Sequence, residues 1–317
     1  MKQFDVIVVG GGPAGASCAV WLKNMGHKPC IVERRSALGG LENDNPYVND
    51  LIVPLTNWRG EEIAAGIHDN VLGRGIFCLL NTAVESVRQS AEAFVVNEGL
   101  PSALSARYLV LASGVRPADG GLLPGSRVLI GPGAPVEEVD FRSLSVAVLG
   151  GGDNAFENYH IIKAKQASEV RIFARTIKAA HRFRDPTPVS DVHVGPYEVD
   201  TTAMTVSGQP FDLIVVLYGW APAIDFAHGL GVERDPRGFV VTDPATTETS
   251  VRNVFAIGEV AHRMHPCSVT AMADGVVAGR EIQQRLDARA KETYLALARQ
   301  GERNRKPCNE KDHGESY

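Results

Sequence analysis

Two glycine-rich turns carry most of the chemistry that can be read from this 317-residue chain: Gly10-Gly11-Gly12-Pro13-Ala14-Gly15 and Gly150-Gly151-Gly152-Asp153-Asn154-Ala155. In each, the first glycine permits a tight turn. The second, Gly12 or Gly152, lets backbone N–H groups approach a pyrophosphate, and the third position, Gly15 or Ala155, lets a helix pack closely on a strand. The start of that helix then stabilises the phosphate charge. One such turn can be a plain strand–helix connection with no ligand. Two copies in one chain suggest two nucleotide-binding βαβ units, one for each of two cofactors. After the first turn an apolar run at 29–32 ends in Glu33, 18 residues beyond Gly15. An acidic side chain there accepts hydrogen bonds from adenosine ribose hydroxyls, as an FAD or NAD site requires; the alternative is a solvated strand end. Arg34 follows, lying either against an adenine or in water.

A second group of reactive residue types lies towards the C-terminus. Cys267 occupies an expected helix start, where the local field lowers a thiol pKa. His262 and His265 are able to carry protons at neutral pH. Against these stand plainer readings: a small residue packing on its surroundings, and histidines solvated in a loop. The five cysteines, at 18, 30, 78, 267 and 308, form neither a CxxC nor a zinc-ligand spacing. Cys18, Cys30 and Cys78 sit among apolar residues and read as buried packing.

The elements that must position these residues have a clear order. Apolar runs at 6–9 and 146–149 precede the two turns and read as buried strands. Short strands are expected at 83–87 and 94–96, and a longer one at 104–112 leads into Ser113-Gly114. The Pro- and Gly-rich stretch 117–135 reads as a hinge. Beyond the second turn come a helix at 155–166, a strand at 170–174 and a strong apolar strand at 211–218. A strand pair at 239–242 and 253–257 ends in Gly258-Glu259. A last helix is expected over 269–290, and the charged segment 300–317, with Cys308 in it, reads as a disordered tail.

Bulk composition fits an ordinary globular enzyme. The chain is long for a single core, so two domains are expected. Apolar residues make up 44% and charged residues 22%. A net charge of −5 gives no electrostatic footprint for nucleic acid. No apolar stretch approaches membrane-spanning length and no signal peptide precedes the first strand, so a cytoplasmic location with no membrane partner is expected.

Taken together, 10–15, Glu33, Gly39-Gly40, Ala112-Ser113-Gly114, 150–155, 219–222 and 254–259 resemble the flavoproteins with two dinucleotide-binding domains. The chain is most similar to their compact members, the low-molecular-weight thioredoxin reductases, over about residues 4–290. The resemblance implies an α/β fold of two Rossmann-like three-layer domains. An FAD-binding domain, 1–115 plus 245–295, would be interrupted by an NAD(P)-binding-like domain at 116–244. It implies FAD contacts at Gly10, Gly12, Pro13, Ala14, Gly15, Glu33, Arg34, Gly40, Asn45, Val84, Ala112, Ser113, Gly114, Gly258, Glu259, Ser268 and Val269. For Asn45 a loop-turn role is as good a reading. In these relatives the residue after Gly258 is aspartate, one methylene shorter than Glu259. The resemblance places NADPH at Gly150, Gly152, Asp153, Asn154, Ala155 and Arg175, and implies a homodimer.

Three departures bear on the reaction. The stretch 133–140, where thioredoxin reductases carry their redox CxxC, has no cysteine, so no dithiol relays electrons from the flavin. After the second strand of the nucleotide domain, NADPH-using relatives have His-Arg-Arg, whereas Arg175 alone remains here, with Lys178 as a substitute. The segment expected beside the flavin contains Cys267 and His265, which become the candidate catalytic residues. Three functions follow. The first is an FAD-dependent NAD(P)H oxidoreductase passing electrons to a small acceptor or to a protein such as ferredoxin, flavodoxin or a thioredoxin-like carrier. The second is a thiol- or disulfide-handling flavoenzyme using Cys267. The third is a flavoprotein with a degraded NAD(P)H site, acting as a sensor or fed by another reduced protein.

Overall fold

A computed structural model describes residues 1–49, 51–53, 55–90, 93–261 and 265–303. Strand β1 (Lys2–Val9) ends in four consecutive buried residues, as a strand covered on both faces must. The chain then turns at Gly10, whose φ of +103° suits glycine, and enters α1 (Pro13–Asn24), with proline in its first turn. β2 (Pro29–Val32), α2 (Gly60–Gly73), β3 (Phe77–Leu79), β4 (Val87–Gln89), β5 (Phe94–Val96) and β6 (Leu104–Leu111) follow. Their order in the sheet is β3-β2-β1-β6-β5-β4, with β3, β2, β1 and β6 parallel.

β7 (Val115–Pro117) leaves this sheet, and a second one is built from β8 (Val128–Ile130), β9 (Ser145–Leu149), β10 (Glu169–Ala174), β11 (Val192–Val194) and β15 (Leu213–Val216). Between them run α3 (Ala134–Glu137), α4 (Asp153–Ala164) and α5 (His181–Arg184), and a small antiparallel meander of β12 (Val199–Asp200), β13 (Thr205–Val206) and β14 (Gln209–Pro210). The second sheet is wholly parallel, in the order β11-β10-β9-β15-β8. β16 (Trp220–Pro222) pairs antiparallel with β7, so the chain returns beside the segment by which it left. β17 (Val254–Ala256) then joins the carboxyl half of β6 in parallel, and α6 (Ser268–Arg303) is the last element described.

Each sheet is covered on both faces, giving two three-layer units. Alternation along β1 sends Val6 and Val8 to the face packed by α1 and α6, and Ile7 and Val9 to the other. In β9, Val146 and Val148 face α4, while Ala147 and Leu149 face the meander side. α1 and α6 touch almost backbone to backbone: a Cβ added at Gly275 would lie 2.4 Å from the Ala14 carbonyl oxygen.

Several expectations need correction. The strand expected over 83–87 is an extended segment that pairs only from Val87. Asn97 holds it, accepting the Glu85 N–H and donating to the Ala83 carbonyl at 2.8 and 2.9 Å. The stretch 117–135 is not merely a hinge, since three apolar residues in it form β8 against β15. Residues 239–242 make only isolated bridges, Val240 with Arg234 and Thr242 with Thr249. α6 runs well past residue 290, because its second half, though exposed over 287–299, is rich in Ala, Leu, Glu, Lys and Arg, which favour helix. It takes in 300–303 of the expected tail; the rest of that tail, Cys308 and His262 lie outside the described residues.

Candidate functional site

The carboxyl ends of β2, β1, β6 and β17 meet at one edge of the first sheet. The connection through α1 leads from β1 to β2 on one side, while β6 lies on the other. This is the switch point at which open α/β sheets leave a crevice. Gly10 and Gly15 shape its floor: a Cβ at Gly15 would stand 2.0 Å from the Gly10 carbonyl oxygen. Gly12 is different, for among the described residues its added Cβ meets only Gly40, with the Cα 3.6 Å away across the opening. Ala14 is buried beside it, under Pro13 at the helix start.

Glu33 is buried at the end of β2, where Oε2 accepts the Gly11 N–H at 2.8 Å and Oε1 the Arg35 N–H at 2.9 Å. Each oxygen keeps a lone pair free for a ribose hydroxyl. Arg34 is exposed, while Arg35 binds Asp44 through two bonds of 2.8 and 2.6 Å and so ties down the 3-10 turn Gly40–Asp44. After β6 comes Ala112, then Ser113, whose buried hydroxyl has no hydrogen-bond partner among the described residues, then Gly114 at φ +65°. An open glycine wall, a polarised carboxylate and an orphaned buried hydroxyl together suit a dinucleotide such as FAD. Val84 faces the apolar cluster on the far side of the sheet.

At the other end of the crevice lies Glu42, whose signal was hidden in a polar run. It is only 6% exposed. Its carboxylate accepts from Asn45 and Asn49 at 3.4 and 3.2 Å and from the Ser268 hydroxyl at the start of α6. Asn45 also accepts the Tyr47 N–H at 3.1 Å, which makes it a turn residue in this fold. The Gly258 N–H donates to Asp274 at 3.1 Å, holding the turn after β17 against α6. Burial, and then repulsion from Glu42, push the neighbouring Glu259 carboxyl above its ordinary range. Val269 is exposed in the first turn of α6.

Cys267 caps α6. Its N–H donates to Thr270 Oγ1 at 3.1 Å, and its Sγ lies 3.5 Å from the same oxygen. Burial raises the thiol pKa, but bonds from the Thr270 backbone and side chain and from the Val269 backbone outweigh it, and the net shift is downward. His265 is exposed and contributes its carbonyl, which accepts the Thr270 hydroxyl at 2.9 Å. By contrast burial pushes Cys18 up to about 12 and half-buried Cys78 up to about 11, which leaves both unreactive.

The second glycine turn builds a similar cradle at the carboxyl end of β9. Among the described residues a Cβ at Gly152 would meet nothing within 4 Å, while Ala155 is fully buried behind it. The loop after β10 folds onto this turn: Lys178 and Ala179 donate backbone N–H groups to the Gly151 carbonyl at 2.7 and 3.0 Å, and Asp153 accepts the Ala180 N–H at 2.6 Å. The Asn154 carbonyl accepts the Asn158 amide at 2.8 Å. Arg175 and Lys178 are exposed at the rim. So is Arg182 of α5, close enough to oppose the burial that raises the Glu157 carboxyl. The basic run 181–184 was visible in the sequence but stood outside the expected position.

The two cradles belong to neighbouring surfaces. Tyr47 donates to Glu137 of α3 at 3.5 Å, and Gly133 lies against the Asp44 carbonyl oxygen. Burial, with Glu137 and Glu157 as additional causes, pushes the Tyr47 hydroxyl up to about 12.

Comparison with known proteins agrees with this architecture. Residues 4–188 and 182–275 match the profile of the pyridine nucleotide-disulphide oxidoreductases. A bifunctional thioredoxin reductase/thioredoxin of Mycobacterium leprae is 27% identical over 319 residues, covering 88% of this chain and 65%, just under two thirds, of that protein. A thioredoxin reductase of Bacillus subtilis is 25% identical over 306 residues, covering 89% of this chain and 94% of its own length. The crystal structure of Lactococcus lactis thioredoxin reductase in its FR conformation has the same fold, with a TM-score of 0.74 at 20% identity over 89% of this chain and 98% of that one. The chain therefore belongs to the pyridine nucleotide-disulphide oxidoreductase family and is an FAD-dependent oxidoreductase with a thioredoxin reductase-like fold.

Proposed function

We propose that this protein takes electrons from NAD(P)H onto FAD and passes them on without a dithiol relay, to a protein carrier or small acceptor. The observation that carries this reading is a pair of open glycine cradles, at Gly12 and Gly152, together with a thiol at the head of α6, Cys267, that has no second cysteine beside it among the described residues and is hydrogen-bonded to Thr270. FAD, when bound, supplies two-electron acceptance from a hydride donor and stepwise release to an acceptor. The chain's own part is to seat the pyrophosphate on the α1 N-terminus, to hold a ribose at Glu33 and to offer the Ser113 hydroxyl. Residues 1–115 and 245–295 form the FAD-binding domain in this reading, and 116–244 the NAD(P)-binding one. A cytoplasmic homodimer, with ferredoxin, flavodoxin or a thioredoxin-like protein as partner, completes it.

NADPH is the donor we favour, because Arg175, Lys178 and Arg182 surround the rim where a 2′-phosphate would lie. Anaerobic mixing with NADPH and with NADH, followed by flavin absorbance, tests it. NADPH should bleach the flavin faster, and Arg175→Ala or Arg182→Ala should weaken its apparent affinity roughly ten- to a hundredfold. Failure of both nucleotides, with dithionite still effective, would show that 150–155 is a retained fold element and point to a reduced protein as donor. A second reading, thiol or disulfide chemistry at Cys267, is favoured by the lowered thiol pKa at the α6 cap.

A further inference from the structure

We infer that Glu42 is a positioning residue and fixed negative charge that holds the start of α6 at the first crevice and lowers the reduction potential of the flavin bound there. This rests on the FAD reading above.

Two helices present their N-termini side by side at the crevice. The Cβ of Ala14 in α1 would lie 2.9 Å from a Cβ added at Gly258, and that of Ala271 in α6 only 3.6 Å from it. Each N-terminus carries a partial positive charge suited to an anion. At α1 the open wall of Gly12 leaves that position for a ligand phosphate. At α6 the first turn has no acidic residue of its own, and it is Glu42, 226 positions away in sequence, that brings a carboxylate there by accepting the Ser268 hydroxyl. Glu42 is buried, and the partners described for it are two amides and one hydroxyl, so its carboxylate faces no cation among them.

A ligand ring near this end of the crevice is neutral when oxidised and gains electron density when reduced. A carboxylate that cancels the field of α6 makes the reduced state less favourable. Glu42 acts on the ring through space and through α6, not by contact with a reacting atom. The same charge bears on Glu259. The result is a stronger reductant, suited to a low-potential acceptor.

The experiment uses the full-length holoprotein of wild type, Glu42→Gln, Glu42→Asp and Asn49→Lys. Two properties of the bound flavin are read without turnover: the two-electron midpoint potential, by anaerobic dye-linked titration, and the dissociation constant of the sulfite adduct. Glu42→Gln should shift the oxidised–reduced equilibrium at least about tenfold towards reduced, about 30 mV for a two-electron couple, and tighten sulfite by a similar factor. Asn49→Lys places a cation beside an intact Glu42 and should move both in the same direction; it decides the matter if Glu42→Gln loses its flavin. Glu42→Asp keeps the charge and should stay near wild type. Unchanged values in Glu42→Gln and Asn49→Lys, or an equal shift in Glu42→Asp, overturn the role of Glu42. A wild type that takes up no FAD on reconstitution overturns instead the reading on which it rests.

Discussion

Gly12 and Gly15 belong to the same turn, yet a side chain at each meets a different neighbour. At Gly15 the added carbon runs into the Gly10 carbonyl oxygen at 2.0 Å, so Gly15→Ala must push α1 off β1. We expect it to destabilise the apoprotein by about 3 kcal/mol or more. At Gly12 the added carbon enters the open crevice, so Gly12→Val should leave the apoprotein melting temperature nearly unchanged and abolish FAD retention. Differential scanning fluorimetry with and without FAD separates the two; equal loss of apoprotein stability in both would contradict this account of the cradle. The Cys267 thiol is lowered because the Thr270 and Val269 backbone N–H groups donate to its sulfur at the head of α6, with the Thr270 hydroxyl 3.5 Å from it. In a Cys308→Ser background, its alkylation rate should reach half-maximum at a pH below that of an ordinary thiol, about 8.5. Thr270→Val should move that midpoint upward; a midpoint that ignores Thr270 would remove the cap as its cause.

At the scale of elements, α6 does two jobs. Its head presents Cys267 and Ser268 to the crevice, and its middle is clamped to the return loop before β17. Arg285 donates to both oxygens of Glu248 at 2.6 and 2.7 Å, donates to Glu281 at 2.8 Å, and stacks its guanidinium over Phe255. The bond from Arg285 holds the Glu248 carboxyl below its ordinary range. A carboxyl depressed on folding contributes stability that is complete above its unfolded value, about 4.3, and is lost as the pH falls through the lower folded value. Glu248→Gln should therefore cost about 1.5–3 kcal/mol at pH 7, and the difference from wild type should shrink steadily below about pH 4. Urea unfolding at pH 7 and at low pH measures this. A difference that stays constant with pH would mean the clamp acts by packing alone.

For the whole molecule, the arrangement of two glycine cradles on either side of one contact between the units bears on the reaction. Among the described residues, electrons leaving the first crevice meet no pair of thiols, and Tyr47, Asp44, Gly133 and Glu137 occupy the contact between the units. The purified protein should be yellow, with about one non-covalent FAD per chain. It should show no NADPH-dependent reduction of thioredoxin or of an aromatic disulfide at a rate comparable with its diaphorase activity. Turnover of that kind, abolished by Cys267→Ser, would establish thiol chemistry at the α6 cap in place of direct electron transfer.

What the sequence alone determined is whatever depends on neighbours in the chain. The glycine offsets of both turns, the acidic end of β2, the proline at the head of α1 and the absence of a CxxC each act over a few residues or within one βαβ unit, so their types and spacing were sufficient to read them. Strand limits at 83–87 and 239–242 escaped, because a side chain such as Asn97 can satisfy a backbone that local pattern assigns to a ladder. The tertiary structure alone decided the rest. Glu42 is one acid in a polar loop until Ser268 is brought to it, Arg182 is a surface base until α5 folds beside Glu157, and Tyr47 is a loop aromatic until α3 closes over it. A buried charge acquires its role from partners far away in sequence, and only the packing of α6 and the second sheet against the first crevice supplies them.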